Sequence, residues 1–173
     1  MKWAWLVVMA ASGVAAGEPV RTPYDAGVVT IHAGLYQQNR DLRGARLGAG
    51  YNVAHGLELG LALSYISGDP ADLSIFEPFA TYNFTGWYQQ LPLVPYLGLA
   101  WKHRWTAPNY YIADTLGARA GLALTFAPGR YPVVIGGGIA WDHPVVECAF
   151  DDCRQYRQNP EELGPEVFVT MGF

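Results

Sequence analysis

The chain has 173 residues, which suits one domain, and 11 basic against 15 acidic side chains give it a formal charge of −4. That balance gives a nucleic-acid role no electrostatic footing. The composition is 51% apolar and 14% aromatic, with only 15% charged residues and 20 glycines, poor in charge and rich in Gly for a soluble globule. No apolar run beyond the N-terminus approaches the ~20 residues that a membrane helix needs.

Residues 1–17, MKWAWLVVMAASGVAAG, predict a cleaved secretory signal peptide. Lys2 supplies the positive start, Trp3 to Met9 the apolar centre, and Val14-Ala15-Ala16 a small-residue cleavage site. Residues 18–26, EPVRTPYDA, form a short polar lead with two prolines, expected in the periplasm.

Residues 27–173 then predict eight strands, each read from a period of two. In the first, Gly27–Gln38, Val29, Ile31, Ala33 and Leu35 share one face, while Thr30, His32, Gly34 and Tyr36 share the other. In the second, Arg43–Val53, Leu47, Tyr51 and Val53 oppose Arg46, Gly48, Gly50 and Asn52. The third, Leu57–Ser67, alternates most cleanly: Leu57, Leu59, Leu61, Leu63 and Tyr65 oppose Glu58, Gly60, Ala62 and Ser64. In the fourth, Ser74–Phe84, Phe76, Tyr82 and Phe84 oppose Glu77, Phe79 and Asn83. Pro78 removes a ladder donor there and predicts a bulge.

The fifth, Leu93–Trp105, sets Leu97, Leu99, Trp101, His103 and Trp105 against Tyr96, Gly98, Ala100, Lys102 and Arg104. The sixth, Asp114–Phe126, sets Leu116, Leu122, Leu124 and Phe126 against Gly117, Arg119 and Gly121. The seventh, Pro132–Asp142, sets Ile135, Ile139 and Trp141 against Gly136, Gly138 and Asp142, with Gly137 a second place where register is open. His143 to Leu163 reads as the longest irregular stretch. In the last strand, Gly164–Phe173, Val167, Val169, Met171 and Phe173 oppose Glu166, Phe168, Thr170 and Gly172.

Connections near 39–42, 68–73, 106–113 and 143–163 alternate with turns at 54–56, 85–92 and 127–131, and the stretch 143–163 is the longest. Long loops on one side and short turns on the other are the asymmetry of membrane barrels, as are strands of about ten residues. Aromatics collect near the strand ends of the apolar face: Tyr65, Phe76, Trp101, Trp105 and Trp141 toward the outside, and Tyr82, Phe84, Phe126 and Phe173 toward the inside. That predicts two girdles.

A soluble barrel of the lipocalin kind would show the same alternation, apolar within. The distribution of charge and glycine argues otherwise. One face is bulky and uncharged. The other carries Arg46, Glu58, Glu77, Lys102, Arg104, Arg119, Asp142 and Glu166, with His32 and a row of Gly. A soluble surface gains nothing from Gly in strand interiors, whereas a narrow lumen needs small residues beside large ones. The fold class is therefore all-β: an eight-stranded antiparallel up-and-down transmembrane barrel, expected to be a monomer in a bacterial outer membrane.

Cys148 and Cys153 lie close together in the exported part, which reads as a disulfide worth about 2 kcal/mol across so short a loop. Neither a metal nor a cofactor is expected. The nearest histidine, His143, is followed by Pro144, and no second pair of ligands exists.

The strand count, the loop asymmetry and the terminal VFVTMGF make residues 18–173 similar to small eight-stranded outer-membrane barrels such as OmpX, Ail and the OmpA membrane domain. No diagnostic motif matches residue by residue. A strand ending on Phe also resembles the C-terminal signature that the barrel-insertion machinery reads. The resemblance implies outer-membrane lipid and lipopolysaccharide as surroundings.

Three functions stay open. In the first, opposite charges pair in the lumen and plug it, and the external loops bind a protein partner outside the cell. The loop with the two Cys is then the leading surface, followed by Tyr110 and Tyr111. In the second, the barrel is an enzyme that modifies lipid A. The His contexts, at His32, His55, His103 and His143, show no His-x-Ser motif and no legible nucleophile–base pair, so no catalytic residue is assigned. His103, between Trp101 and Trp105 on the lipid face, is placed to meet a headgroup, or is simply an interfacial polar residue. The third is a narrow channel, which eight strands leave little room for.

Overall fold

The computed structural model describes residues 22–38, 42–67, 72–87, 92–106, 111–126, 131–149, 152–154 and 162–173. The signal peptide, most of the polar lead, Tyr110 and much of the expected loop regions lie outside them.

Alternation becomes nine strands: β1 Val29–Gln38, β2 Leu42–Ala54, β3 Leu57–Ser67, β4 Leu73–Asn83, β5 Leu93–Thr106, β6 Tyr111–Phe126, β7 Val133–Ala149, β8 Asp152–Arg154 and β9 Glu162–Gly172. Strands β1 to β7 each pair antiparallel with the next, and β9 pairs with both β7 and β1. Eight strands thus close on themselves and leave no free edge among them. β8 stands apart, paired only with the far tip of β7.

Several sequence expectations change. The stretch from 143 to 163 is not irregular throughout: β7 runs on to Ala149, β8 folds back on it, and β9 begins at Glu162. Likewise β6 begins at Tyr111, inside the expected loop 106–113. Pro144 does not stop β7: it lies in the gap between the β9 ladder, which ends at Asp142, and the β8 ladder, which begins at Glu147, and it stands opposite Thr115 where the β6–β7 register shifts. Pro78 makes no bulge. The β4–β5 ladder pairs Phe76 with His103 and Phe79 with Ala100, one register on both sides of it. Gly137 also sits in an unbroken register, opposite Leu122 and Val167. The register shifts fall instead at Asn52/Ala54 and at Asp114/Thr115.

Burial is inverted relative to a water-soluble globule. Leu35, Leu47, Leu61, Leu63, Leu97, Leu99, Ile139 and Val167 point outward and are exposed. Glu58, Glu77, Arg104 and Asp142 point inward and are buried. A lipocalin-like barrel would need the reverse, since exposed apolar bulk in contiguous bands is tolerated only against lipid or a partner. All nine girdle aromatics lie on the outer face. Trp101 is 58% exposed, and Trp105 and Trp141 are half-buried beside His103 and His143.

The end of the polar lead is part of the structure. Residues 22–28 fold across the barrel end that holds the β2–β3 turn (the near end). Tyr24 is 4% exposed there, packed with Val94, Tyr96, Ala123 and Val134, and its hydroxyl shares a hydrogen bond with Thr125 Oγ1 at 2.8 Å. Asn52 Nδ2 donates to Pro23 O at 2.9 Å, and Gly56 N donates to Tyr24 O at 2.9 Å. Two left-handed glycines make this possible. Gly27 (φ 87°) turns the plug into β1, and Gly56 (φ 77°) turns β2 into β3, close against Asn83 O. Tyr24→Ala should empty the stopper's place and lower the stability of the folded barrel by about 3 kcal/mol, read as a drop in the temperature at which its compact gel band is lost.

Candidate functional site

The lumen is built in three layers, each set by which inward positions fall opposite one another. In the layer nearest the plug, β1 pairs with β9 so that His32 faces Thr170. His32 Nδ1 lies 2.8 Å from Thr170 Oγ1, and its Nε2 lies 2.5 Å from Glu58 Oε1 and 3.1 Å from Thr30 Oγ1. Thr30 also donates to Glu58. Residues of nucleophile, base and acid type thus meet around one imidazole. Both of its nitrogens are engaged, however, and the space beside it is lined by Pro23 and Tyr24 and by Arg46 and Arg119. It is a buried, connected polar network that shares a small lumen cavity with Phe79, Tyr96 and Phe168.

The middle layer holds one carboxylate between two guanidiniums. Glu77 Oε1 accepts from Arg46 Nη2 at 3.0 Å and from Arg119 Nη2. Both arginines lie over the ring of Phe79, with Cζ at 4.8 Å and 5.2 Å from its centroid. Glu166 has a different partner: Tyr96 donates its hydroxyl to Glu166 Oε1 at 2.8 Å. The far layer centres on Asp142. Lys102 Nζ donates to both its oxygens, at 2.7 and 2.8 Å, and Arg104 Nη2 donates to Oδ2 at 2.7 Å.

Glycines make the room. A Cβ on Gly98 would lie 2.8 Å from Arg119 Cγ, and one on Gly117 2.7 Å from Asp142 Oδ1. Gly50 gives the same space to Glu58, Gly60 to Phe79 and Gly136 to Phe168. Arg119, Asp142, Glu58, Phe79 and Phe168 each lie over a neighbouring strand's Gly.

All nine inward titratable residues singled out in the sequence line this lumen. What the sequence did not assign are the partners that are not charged: Thr30, Thr170, Tyr96, Phe79 and Tyr24. The inward parity of the first four was legible, but pairing across the barrel depends on register and on which strands face each other; Tyr24 precedes the first strand and has no parity to read.

A second polar group lies outside. Asp114, the first residue of the sixth predicted strand, faces outward opposite His103 in the β5–β6 ladder. Its Oδ1 is 2.7 Å from His103 Nδ1 and accepts from Trp101 Nε1 at 3.3 Å. No partner of His103 was legible in the sequence, because Asp114 stands 11 positions away and only hairpin register joins them. No hydroxyl among the described residues hydrogen-bonds His103. Cys148 and Cys153 are direct backbone partners in the β7–β8 ladder.

No family model matches the sequence, and no curated protein does. Solved structures do. Neisserial surface protein A is similar at TM-score 0.56 and 15% identity, over 84% of this chain and 95% of that one. The N-terminal β-barrel domain of Pseudomonas aeruginosa OprF is similar at TM-score 0.56 and 17% identity, over 86% of this chain and 98% of that one. The fold is that of a small outer-membrane barrel. A designed transmembrane β-barrel is also similar, at TM-score 0.54 and 14% identity over 86% and 98%. Because a barrel made by design shares it as fully as natural ones do, the likeness carries architecture and no activity.

Proposed function

We propose that this protein is a monomeric outer-membrane barrel with a structural and surface-interaction role, reaching the membrane behind a cleaved signal peptide. In this orientation the plugged near end faces the periplasm and the β7–β8 hairpin stands outside. The observation that carries the reading is the charged packing of the lumen. Four cations (Arg46, Lys102, Arg104, Arg119) and four carboxylates (Glu58, Glu77, Asp142, Glu166) fill it in layers, with Tyr24 below them. Such a core favours neither conduction nor an acyl-chain pocket. What is left to meet other molecules is the outer rim and its loops, where an external protein ligand would bind.

The test compares lipid A from cells with and without the protein by mass spectrometry, alongside conductance of the purified barrel in a planar bilayer. Unchanged lipid A and a silent bilayer are expected. A gained or lost acyl chain would replace this reading with a lipid A-modifying enzyme, and steady conductance would replace it with a narrow channel.

Cys148 and Cys153 we infer to be a disulfide that ties β8 to β7. Directly opposed residues of an antiparallel pair have Cα atoms about 4.5–5.5 Å apart, within disulfide reach. Alkylation of the unfolded, unreduced protein should add no thiol label, and should add two after reduction. Two labels without reduction would show free thiols.

A further inference from the structure

The outward face of β5, β6 and β7 is expected to meet lipid, yet near its outer end it carries a carboxylate. Asp114 is held there by His103 and Trp101, and Trp105 lies tilted on His103 with ring centroids 5.7 Å apart. On β7 the neighbouring Trp141 stacks on His143 at 5.7 Å and 18°. An ordinary aromatic girdle needs only the tryptophans. At the rim a carboxylate costs little, because it reaches the headgroup region, so Asp114 adds a polar acceptor to the tryptophans there.

We propose that this rim patch recognises the sugar headgroup of an outer-leaflet glycolipid. The inference rests on the membrane reading above and names the lipid chemistry that reading leaves open. Three features select sugar. Trp101 and Trp105 present flat rings, whose negative faces suit the C–H edge of a pyranose. Asp114 has acceptor capacity beyond its two bonds, which suits hydroxyl donors. His103 spends Nδ1 on Asp114, and its Nε2 has no hydrogen-bond partner among the described residues, so that nitrogen points a second polar atom at the headgroup. The charge of the patch argues against a phosphate ligand. Lys102 and Arg104, the cations of this part of β5, turn inward to Asp142, and the carboxylate on the outer face would repel a phosphate.

The experiment uses the whole mature barrel in phosphatidylcholine vesicles that carry a minor fraction of either a neutral monoglycosyl diacylglycerol or phosphatidylglycerol. Flotation reports insertion, and native mass spectrometry from a sugar-free detergent counts the lipid retained. The wild type should float and retain the glycosyl lipid over phosphatidylglycerol. Asp114→Leu and His103→Leu should float at least as well, since each places an apolar side chain on the lipid face, while binding the glycosyl lipid roughly tenfold more weakly. Tyr82→Leu, in the opposite girdle, should leave retention unchanged. Equal retention of the two lipids, a preference for phosphatidylglycerol, or full retention by both Leu variants would overturn the proposal alone. A wild-type barrel that does not float would overturn the membrane reading and this site with it.

Discussion

Replacing Glu77 by Ala is expected to cost the folded barrel about 3–5 kcal/mol, the loss typical of breaking a buried ion pair from one side. Glu77 is 3% exposed and, among the described residues, is the carboxylate that both Arg46 and Arg119 bond. Without it two guanidiniums share the face of Phe79 with no charge between them, and both repulsion and unpaired burial oppose folding. Arg119→Ala should cost less, because Glu77 keeps Arg46 at 3.0 Å. Glu77→Gln should fall between the two, since it keeps the shape and one acceptor but not the charge. The measurement is the urea midpoint of the micelle-bound protein for each variant. Equal midpoints for Glu77→Ala and the wild type would mean that water, not Glu77, compensates the arginines. Because the layer is enclosed, the differences should persist at high salt, unlike those of a surface pair.

That middle layer also shows how far the sequence reaches. Glu77, Arg46 and Arg119 were assigned to one face because parity on a strand is local: every second residue points the same way. The row of Gly identified the face, since it is next to Gly98 and Gly117 that Arg119 and Asp142 find room. Which cation meets which carboxylate was not legible. Glu77 and Arg119 are 42 positions apart and sit on strands whose separation around the barrel is set by closure. The same limit hid the pairing of His32 with Thr170, across 138 positions. Asp114 was hidden for a different reason. It looked like the polar start of a strand, whereas β6 begins three residues earlier and carries it onto the lipid face. Tyr24 was hidden because a nine-residue polar segment with two prolines gives no periodicity to read. Its burial comes entirely from the hole it fills.

Leu61→Arg is the substitution whose sign separates a membrane barrel from any water-soluble one. Leu61 sits near the middle of β3, paired with Ala49 and Pro78, and is 55% exposed. In a soluble protein an exposed Leu exchanged for Arg changes stability little and improves solubility. Against the hydrocarbon midplane the same change should cost about 2–4 kcal/mol. The cost should also fall with depth. Tyr65→Arg, four residues nearer the outer end on the same face, should cost about 1 kcal/mol or less, because a guanidinium at the girdle reaches water. Unfolding of the two variants from phosphatidylcholine vesicles, read by tryptophan fluorescence, gives both numbers. A large loss at position 61 with a small one at 65 would locate the bilayer along β3 to within a few residues. Equal small losses would mean that the outward leucines face something other than lipid, for no fixed apolar partner of the protein would spare one and not the other. The lumen layers would then have to be reinterpreted too, since a barrel with water on its outside has no reason to bury its charges and expose its leucines.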